Sequence, residues 1–268
     1  MDLGLSGAAV VVSGGTGGMG KAAAECFAAD GARIAVFGRT QPRLDATVSR
    51  LRELGSPDAV GFAVDVRSTP AVDAAFARLG ERWGELNALV NTVGPDQIGS
   101  IESLSDEDWQ AAFDAGAMSA VRCIRAALPW LRKGEWARIV NVSAHSTKRQ
   151  APGLIAYTAA KSAMTSLGKN LAKTLAPDGI LVNTVSPGTF LSESVRAWLE
   201  QIAPERGIDP SSPVDAMRII GQDYASPADL GRAGLPEEIG AVIAFLASRR
   251  NSYMTGANVN VDGGSDFS

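Results

Sequence analysis

The chain has few of the residues that mark several large functional classes. Two cysteines and one histidine among 268 residues are too few for a disulfide framework, and none of them has the spacing of a metal site. Acidic residues outnumber basic ones, 29 to 25, for a net charge of −4, and no lysine- or arginine-rich block is present, so we expect no nucleic-acid partner. Cys26 and Cys123 are predicted to be buried thiols in a reducing cytoplasm.

Long apolar runs are also missing. The first apolar run, residues 8–12, covers five positions, whereas a membrane-spanning helix needs about 20. The N-terminus lacks the basic-then-apolar layout of a signal peptide. We therefore expect a cytoplasmic protein with no membrane partner. A hydrophobic content of 46% is nevertheless enough for a sizeable core.

Short apolar runs instead alternate with longer amphipathic segments along the chain. Strands without polar alternation are typical of a parallel sheet covered on both faces, and the intervening segments are long enough to be crossover helices. This alternation predicts a single α/β domain, residues 1–268, with a doubly wound parallel sheet of the Rossmann type. The predicted strands are 8–12, 33–37, 60–64, 88–90, 138–142, 181–185 and 257–261, and the helices are 21–29, 44–54, 71–83, 109–131, 156–175 and 237–246.

Residues 190–234 interrupt this alternation. They show no strand pattern, and several prolines follow the helically spaced Trp198, Leu199 and Ile202. An insertion at the carboxyl edge of a sheet is typical of a substrate-binding lid, although a packed surface excursion also fits. Apolar residues such as Met217 and Ile219 indicate an apolar substrate if they line the site, and a core if they pack inward.

A glycine-rich loop follows the first strand, from Ser13 to the helix that starts near Lys21. Glycines let the backbone turn sharply and approach a pyrophosphate, which the N–H groups of a helix N-terminus favour. The loop also resembles a Walker A motif, but Ala22 lacks the hydroxyl that ligates Mg²⁺ there. We expect a dinucleotide site whose residues here are Gly14, Thr16, Gly17, Gly18, Met19 and Gly20.

The second strand ends at Phe37-Gly38-Arg39. An acidic residue near this point bonds the ribose 2′-hydroxyl of NAD(H), whereas an arginine accommodates the 2′-phosphate of NADP(H). Arg39 therefore favours NADP(H) over NAD(H), with Arg43 as a second positive charge. The alternative is that Arg39 is a solvated loop residue.

Tyr157 and Lys161 lie four residues apart on a predicted helix, on the same face. A free tyrosine has a pKa near 10 and is a poor acid or base at neutral pH. An adjacent ammonium lowers that pKa and permits proton transfer to or from a carbonyl oxygen. This spacing is common by chance, but after a glycine loop in an α/β chain it indicates a catalytic pair.

From about residue 5 to residue 264 the chain resembles the short-chain dehydrogenase/reductase family. The resemblance implies that Tyr157 is the general acid or base, that Lys161 holds the ribose hydroxyls, and that the protein forms a dimer or tetramer through helices near 106–133 and 156–176 and the last strand. It also implies further cofactor contacts at Asp65 and Val66, at Asn91, Val93 and Gly94, and at Pro187, Gly188, Thr189 and Ser192.

Two positions depart from that family. The usual catalytic serine falls on Ala144 and the usual helix asparagine on Gly116. Ser143 is our candidate for the orienting hydroxyl, although adjacent side chains on a strand point to opposite faces, so it can serve only if the backbone is shifted there. His145, Ser146 and Thr147 are nearby substitutes; His145 either lines the pocket or is an ordinary loop residue. Gly116 leaves room either for water or for a neighbouring group.

These patterns favour an NADP(H)-dependent oxidoreductase that interconverts a carbonyl and an alcohol on a mainly apolar substrate, such as a 3-oxoacyl compound or a polycyclic ketone. Loss of one orienting hydroxyl is expected to cost roughly 10²–10³ in rate. Two alternatives stay open: a cofactor-binding protein with little or no reductase activity, and a reductase of a conjugated double bond.

Overall fold

The computed structural model describes residues 2–265. Its centre is a seven-stranded, wholly parallel sheet in the order β3-β2-β1-β4-β5-β6-β7. The strands are β1 Ala9–Ser13, β2 Arg33–Gly38, β3 Ala59–Ala63, β4 Ala88–Asn91, β5 Ala137–Val142, β6 Ile180–Pro187 and β7 Asn258–Val261. This confirms the predicted doubly wound Rossmann-type fold.

Helices cover both faces of the sheet. They are α1 Gly18–Ala29, α2 Gln41–Glu53, α3 Thr69–Trp83, α4 Asp106–Phe113, α5 Ser119–Leu131, α6 Ile155–Thr174, α7 Glu193–Arg206, α8 Pro213–Tyr224 and α9 Pro236–Leu246. One core joins α1, α2 and α9 to one face of the sheet, and a second joins α3, α5 and α6 to the other. Burial on both faces explains why the strands carry almost no polar alternation.

The strand order reverses between β1 and β4, which both pair with their neighbours in register: Val12 lies opposite Val36 on one side and Val90 on the other. The loops that leave β1 and β4 therefore diverge to opposite faces and open a crevice at the carboxyl edge of the sheet. This crevice is where doubly wound folds bind their ligands.

The predicted helix 109–131 is interrupted. A π-helical turn, Asp114–Met118, separates α4 from α5. An extra residue in a turn changes the direction in which the following side chains point, and such π turns are frequent at functional sites. Helical periodicity alone does not reveal this insertion.

The segment 190–234, called the lid below, folds as α7 and α8 over the carboxyl edge of the sheet. Leu199, Met217 and Ile219 are almost completely buried in a small core of this segment's own. They pack inward and do not line a substrate site, which decides between the two readings left open for these side chains. None of the helices in residues 2–265 combines the length and the hydropathy of a membrane span.

Candidate active site

The glycine loop is shaped by close backbone contacts. A Cβ on Gly14, whose φ is +83°, would lie 2.5 Å from Thr92 Oγ1, and one on Gly20 would lie 2.4 Å from the Gly14 carbonyl oxygen. Only glycine fits at these two positions. The loop is thereby held against the start of α1, whose N-cap residue, Gly17, supplies no side-chain hydrogen bond to the helix.

The first N–H groups of α1 are consequently left to an incoming ligand, and a phosphate group suits them by charge and by hydrogen bonding. Met19 lies in this first turn with its side chain packed against the core, so its contribution to the site is its backbone N–H. Gly18, at a φ of +50°, lies next to Ser192 of the lid. These residues fit the pyrophosphate of a dinucleotide.

A cavity of about 230 Å³ extends from this loop along the ends of β2, β3 and β4. Several of the predicted cofactor residues meet here, because parallel strands end at the same edge of the sheet. They are Gly14, Thr16, Arg39, Asp65, Val66, Val93 and Gly94. The cavity has the place and the lining expected for the adenosine half of a dinucleotide.

Two arginines face this cavity. Arg39 is exposed at the end of β2, as predicted. Arg67, which the sequence reasoning missed, donates to both Asp65 carboxylate oxygens at 2.8–3.2 Å, and this guanidinium keeps the pKa of Asp65 below its ordinary value. An arginine two residues after the predicted adenine-contacting Asp65 was the available signal. Two guanidinium groups beside a ribose position fit a 2′-phosphate.

Arg43 does not line the cavity. Its guanidinium donates to the carboxylate of Glu193, the first residue of α7. Glu193 also faces the glycine loop, with Oε2 3.9 Å from where a Cβ on Gly17 would lie. The predicted second positive charge is thus tied to the lid in this structure.

Lys161 is buried beneath the end of β4 and β5. Its Nζ donates to the carbonyl oxygens of Val142 at 2.7 Å and of Val93 at 3.3 Å. A Cβ on Gly94 would lie 3.1 Å from this Nζ, so the glycine makes room for the amine. Burial lowers the pKa of Lys161 to about 7, so that near neutral pH the group both gains and loses a proton easily.

Tyr157 lies one turn earlier on α6 and is partly buried. Between residues 2 and 265, no hydrogen-bond partner of its hydroxyl is found, and burial raises the pKa of Tyr157 to about 12. The lowering of this pKa that the Tyr157–Lys161 spacing predicted is therefore absent, because the Lys161 amine donates to backbone carbonyls instead. The phenol keeps its proton at neutral pH.

The structure does not support Ser143 as the orienting hydroxyl. Its side chain is 1% exposed, and its Oγ contacts the Lys161 carbonyl oxygen at 3.1 Å and Thr165 Oγ1 at 2.7 Å. No bulge moves the strand end, so Ser143 and Ala144 point to opposite faces, as neighbours in an extended chain do. Ser143 joins β5 to the middle of α6.

Gly116 lies in the π-helical turn and packs tightly against α6. A Cβ here would lie 2.8 Å from the Ala160 Cβ and 3.1 Å from Pro95 Cδ. The glycine therefore makes room for neighbouring groups and not for a water molecule. An asparagine side chain does not fit at this position.

The remaining predicted cofactor residues have different surroundings. Asn91 is buried and its Nδ2 donates to Asn141 Oδ1 at 2.9 Å, inside the sheet. Ser192 caps α7 by accepting from Val195 N. Gly188 lies against Asp262, whose Cα would be 2.7 Å from a Cβ on the glycine. The Pro187 carbonyl oxygen lies 3.1 Å from His145 Nδ1, and Thr189 lines a second cavity at the lid.

That second cavity, of about 300 Å³, lies between the lid and the loop that joins β5 to α6. Its walls are mainly apolar, and Trp198 and Tyr224 meet edge to face in them, with ring centroids 6.4 Å apart. None of the described residues that line it is an aspartate, glutamate, lysine or arginine. Its apolar walls are Ile98, Leu154, Val195, Trp198, Ile220 and Tyr224, and its polar groups include His145, Thr189 and Ser226.

Among the described residues no cluster of metal-ligating side chains is present. The candidate residues for proton transfer in the cleft are Tyr157 and Lys161 on α6, and its candidate cofactor is a dinucleotide. The glycine cradle, the open N-terminus of α1 and the cavity at Arg39 all fit such a cofactor. The adjoining apolar cavity fits an uncharged organic substrate.

Comparison with known proteins agrees with this geometry. A family model described as "Enoyl-(Acyl carrier protein) reductase" matches residues 14–266. The short-chain reductase protein NovJ of Streptomyces niveus is 33% identical over 95% of this chain and 92% of its own, and the 3α-hydroxysteroid dehydrogenase of Mediterraneibacter gnavus is 32% identical over 94% of each.

Among solved structures, L-sorbose reductase from Gluconobacter frateurii, in complex with NADPH and L-sorbose, superposes with a TM-score of 0.92. It is 29% identical, over 99% of this chain and 98% of that one. The matches in sequence and in structure both cover nearly the whole chain. The chain belongs to the short-chain dehydrogenase/reductase family of oxidoreductases.

Proposed function

We propose that the protein is an NADP(H)-dependent oxidoreductase that interconverts an uncharged, mainly apolar ketone and its secondary alcohol. The observation that carries this proposal is the apolar cavity at the N-terminal end of α6, beside the helix that bears Tyr157 and Lys161. Its lining residues, Leu154 among them, present a mainly apolar surface to an organic ring system. None of those described is an aspartate, glutamate, lysine or arginine that could pair with a charged substrate.

Tyr157 is proposed as the general acid in the reducing direction. Its hydroxyl is protonated at neutral pH because burial raises its pKa to about 12, and it donates this proton to the substrate oxygen as negative charge develops there. Lys161, one helical turn away with a pKa of about 7, restores the proton to the phenol. When bound, the nicotinamide supplies the hydride.

NADP(H) is proposed as the cofactor because the adenosine cavity presents cations where NAD(H) would need a carboxylate. Arg39 reaches it from β2 and Arg67 from the loop after β3. The Asp65 carboxylate, already bonded by Arg67, remains available for the adenine end. Pro187, Gly188, Thr189 and Ser192 are proposed to receive the nicotinamide end under the lid.

The substrate class follows from the cavity walls. A sugar such as L-sorbose needs several hydrogen-bonding partners, and this cavity has few. Two aromatic rings that meet edge to face, Trp198 and Tyr224, suit a fused-ring ketone or the chain of a 3-oxoacyl compound. The resemblance to a 3α-hydroxysteroid dehydrogenase points in the same direction.

Reduction of a conjugated double bond is the second candidate. It is favoured by Ala144 and by the inward orientation of Ser143, since such a reaction depends less on a hydroxyl at the carbonyl oxygen. Loss of a 2-enone's ultraviolet absorbance without formation of an allylic alcohol would identify this activity.

The deciding experiment measures NADPH oxidation at 340 nm with 1-decalone, a neutral bicyclic ketone, and with L-sorbose. We expect turnover of the decalone alone. Tyr157→Phe should lower kcat at least 10²-fold while the NADPH Kd stays within twofold, because the phenol acts in proton transfer. Tyr253→Phe, the same change at a tyrosine that is 98% exposed, is the control. NADPH binding without turnover of any ketone would indicate a binding protein instead.

A homo-oligomer, a dimer or tetramer, is proposed as the functional form. Phe113 on α4 and Met118 after it are exposed, and so is Ile155, the first residue of α6. Apolar side chains left in solvent on these two segments suit contacts between copies of the chain.

A further inference from the structure

We propose that Ser226 of the lid orients the substrate oxygen, and that His145 is a positioning residue that holds the Ser226 hydroxyl in place. This inference rests on the proposed carbonyl–alcohol chemistry. It answers the question that Ala144 raises, namely which group contacts the substrate oxygen when the usual strand-end serine is missing and Ser143 points into α6.

The first observation is a hydrogen bond across the apolar cavity. Ser226 Oγ lies 2.7 Å from His145 Nε2, and both side chains line the cavity. Ser226 is 4% exposed. A buried hydroxyl in a mainly apolar pocket is the kind of polar group that fixes the orientation of a bound ligand.

The second observation fixes the tautomer of His145. Its Nδ1 lies 3.1 Å from the Pro187 carbonyl oxygen, which only accepts hydrogen bonds, so Nδ1 carries the proton. In the neutral imidazole Nε2 is then an acceptor, and Ser226 donates to it. The imidazole thus connects the carbonyl of the proposed nicotinamide-binding segment to a lid hydroxyl.

The chemistry of the reaction favours the hydroxyl over the ring. A ketone oxygen needs a donor, and the alcohol that replaces it also needs an acceptor. Nε2 in this tautomer only accepts, whereas a serine hydroxyl does both. By turning about the Cβ–Oγ bond, Ser226 exchanges its bond to Nε2 for one to the ketone oxygen, while Oγ keeps its place.

The third observation is local backbone strain before Ser226. Ala225 has a φ of +51°, and among residues 2–265 it is the one non-glycine residue with a positive φ. Its carbonyl oxygen accepts from Arg149 Nη2 at 3.3 Å. Arg149 and His145 come from the same β5–α6 loop, so this loop contacts both Ala225 and Ser226. Such strain persists only where the surroundings impose it.

The test compares variants in the turnover of 1-decalone and in NADPH binding. Ser226→Ala should lower kcat by about 10²-fold, the scale of one lost oxyanion donor, and leave the NADPH Kd within twofold. Ser226→Thr, which keeps the hydroxyl, should retain at least a tenth of the wild-type kcat. Ser211→Ala makes the same change on the exposed side of the lid and should leave kcat unchanged.

His145→Asn separates positioning from packing. The asparagine amide keeps a donor for the Pro187 carbonyl but does not reach Ser226, so we expect a kcat loss of about tenfold with an unchanged NADPH Kd. Ala144→Ser added to Ser226→Ala should recover part of the lost kcat, because it restores a hydroxyl beside the substrate oxygen.

The outcomes distinguish the two levels of the proposal. If the wild type turns over 1-decalone and Ser226→Ala keeps kcat within threefold, the role of Ser226 is wrong and the proposed reaction stands. If the wild type binds NADPH and reduces no ketone, the proposed function fails and this inference fails with it. If Ser226→Ala and Ser226→Thr lose NADPH binding equally, Ser226 is structural.

Discussion

Burial, and not the spacing of the two residues in the sequence, sets the pKa values of Tyr157 and Lys161. Lys161 and Tyr157 share a helical face, yet the amine donates to Val142 and Val93, and burial shifts the two pKa values in opposite directions, each toward the neutral form. Near neutral pH the phenol is therefore protonated, and the amine is close enough to its pKa to take up or release a proton.

The first prediction concerns the buried amine. In the folded chain the Lys161 pKa is about 7, below its value of about 10.4 in the unfolded chain. Between these values the unfolded state binds more protons, so the wild type should gain stability as pH rises. Between pH 7.5 and 9 its free energy of unfolding should rise, relative to Lys161→Met, by up to about 1.4 kcal/mol per pH unit.

Urea denaturation without cofactor, repeated across this pH range, measures the effect. Lys169→Met, the same change at an exposed position of α6, should show the pH dependence of the wild type. Parallel profiles for the wild type and Lys161→Met would contradict a lowered pKa in the folded state.

The second prediction concerns cofactor choice. Arg39→Ala should raise the NADPH Kd about tenfold to a hundredfold, since a charge-assisted hydrogen bond contributes about 1.5–3 kcal/mol. The NADH Kd should change little, because NADH has no phosphate on that ribose. Fluorescence titration of both cofactors measures this, with Arg50→Ala on α2 as the control. Equal weakening of both cofactors would mean that Arg39 does not read the 2′-phosphate.

At the scale of whole elements, the position of α7 decides which charges reach the cofactor cleft. Glu193 begins this helix, faces the glycine loop and binds Arg43 of α2. An acidic first residue stabilises a helix N-terminus, but here it also places a carboxylate beside the proposed pyrophosphate position. The Glu193 carboxylate that stabilises the N-terminus of α7 is therefore also expected to repel the phosphates of a bound dinucleotide.

The third prediction follows from that coupling. Glu193→Gln should lower the NADPH Kd about threefold to tenfold at low salt, because it removes a like charge and releases Arg43, and the gain should shrink as salt screens the interaction. Isothermal titration at two ionic strengths measures it. Glu205→Gln, at an exposed site on the same helix, should have no such effect. Weaker NADPH binding in Glu193→Gln would show instead that the Arg43–Glu193 ion pair holds the site in its binding geometry.

The contact between the π-helical turn and α6 explains the absent asparagine. The turn brings Gly116 so close to Ala160 that a Cβ at this position would lie 2.8 Å from the alanine Cβ. The two elements pack by backbone approach, and a larger side chain would separate them. The departure from the family pattern therefore follows from the close packing of the π-helical turn on α6.

For the whole molecule, the exposed apolar surface leads to the fourth prediction. The wild type should elute as a dimer or tetramer in size-exclusion chromatography with light scattering. Phe113→Glu should shift it toward the monomer, because it puts a charge into the proposed interface on α4. Val214→Glu, an exposed valine on the lid helix α8, is the control. A wild type that is monomeric at micromolar concentration would contradict the proposed assembly.

The sequence by itself determined the fold class, the order of the strands and helices, and the membership in a family. These features depend on local periodicity and on glycines with special backbone roles, such as Gly14, and local signals of this kind survive without tertiary information. Most residues that line the cavity at Arg39 were predictable as well, because the carboxyl ends of parallel strands all lie at one edge of the sheet.

Only the tertiary structure decided which side chains line the two cavities. It turned Ser143 into α6, placed Arg67 beside Arg39, sent Leu199 and Met217 into the lid core, and brought Ser226 across 81 positions to His145. Contacts between residues so distant in sequence depend on how the lid packs on the β5–α6 loop. Adjacent side chains on a strand point to opposite faces, so a shift of one residue reverses the direction of a hydroxyl. The spacing of residues in the sequence therefore does not predict that direction.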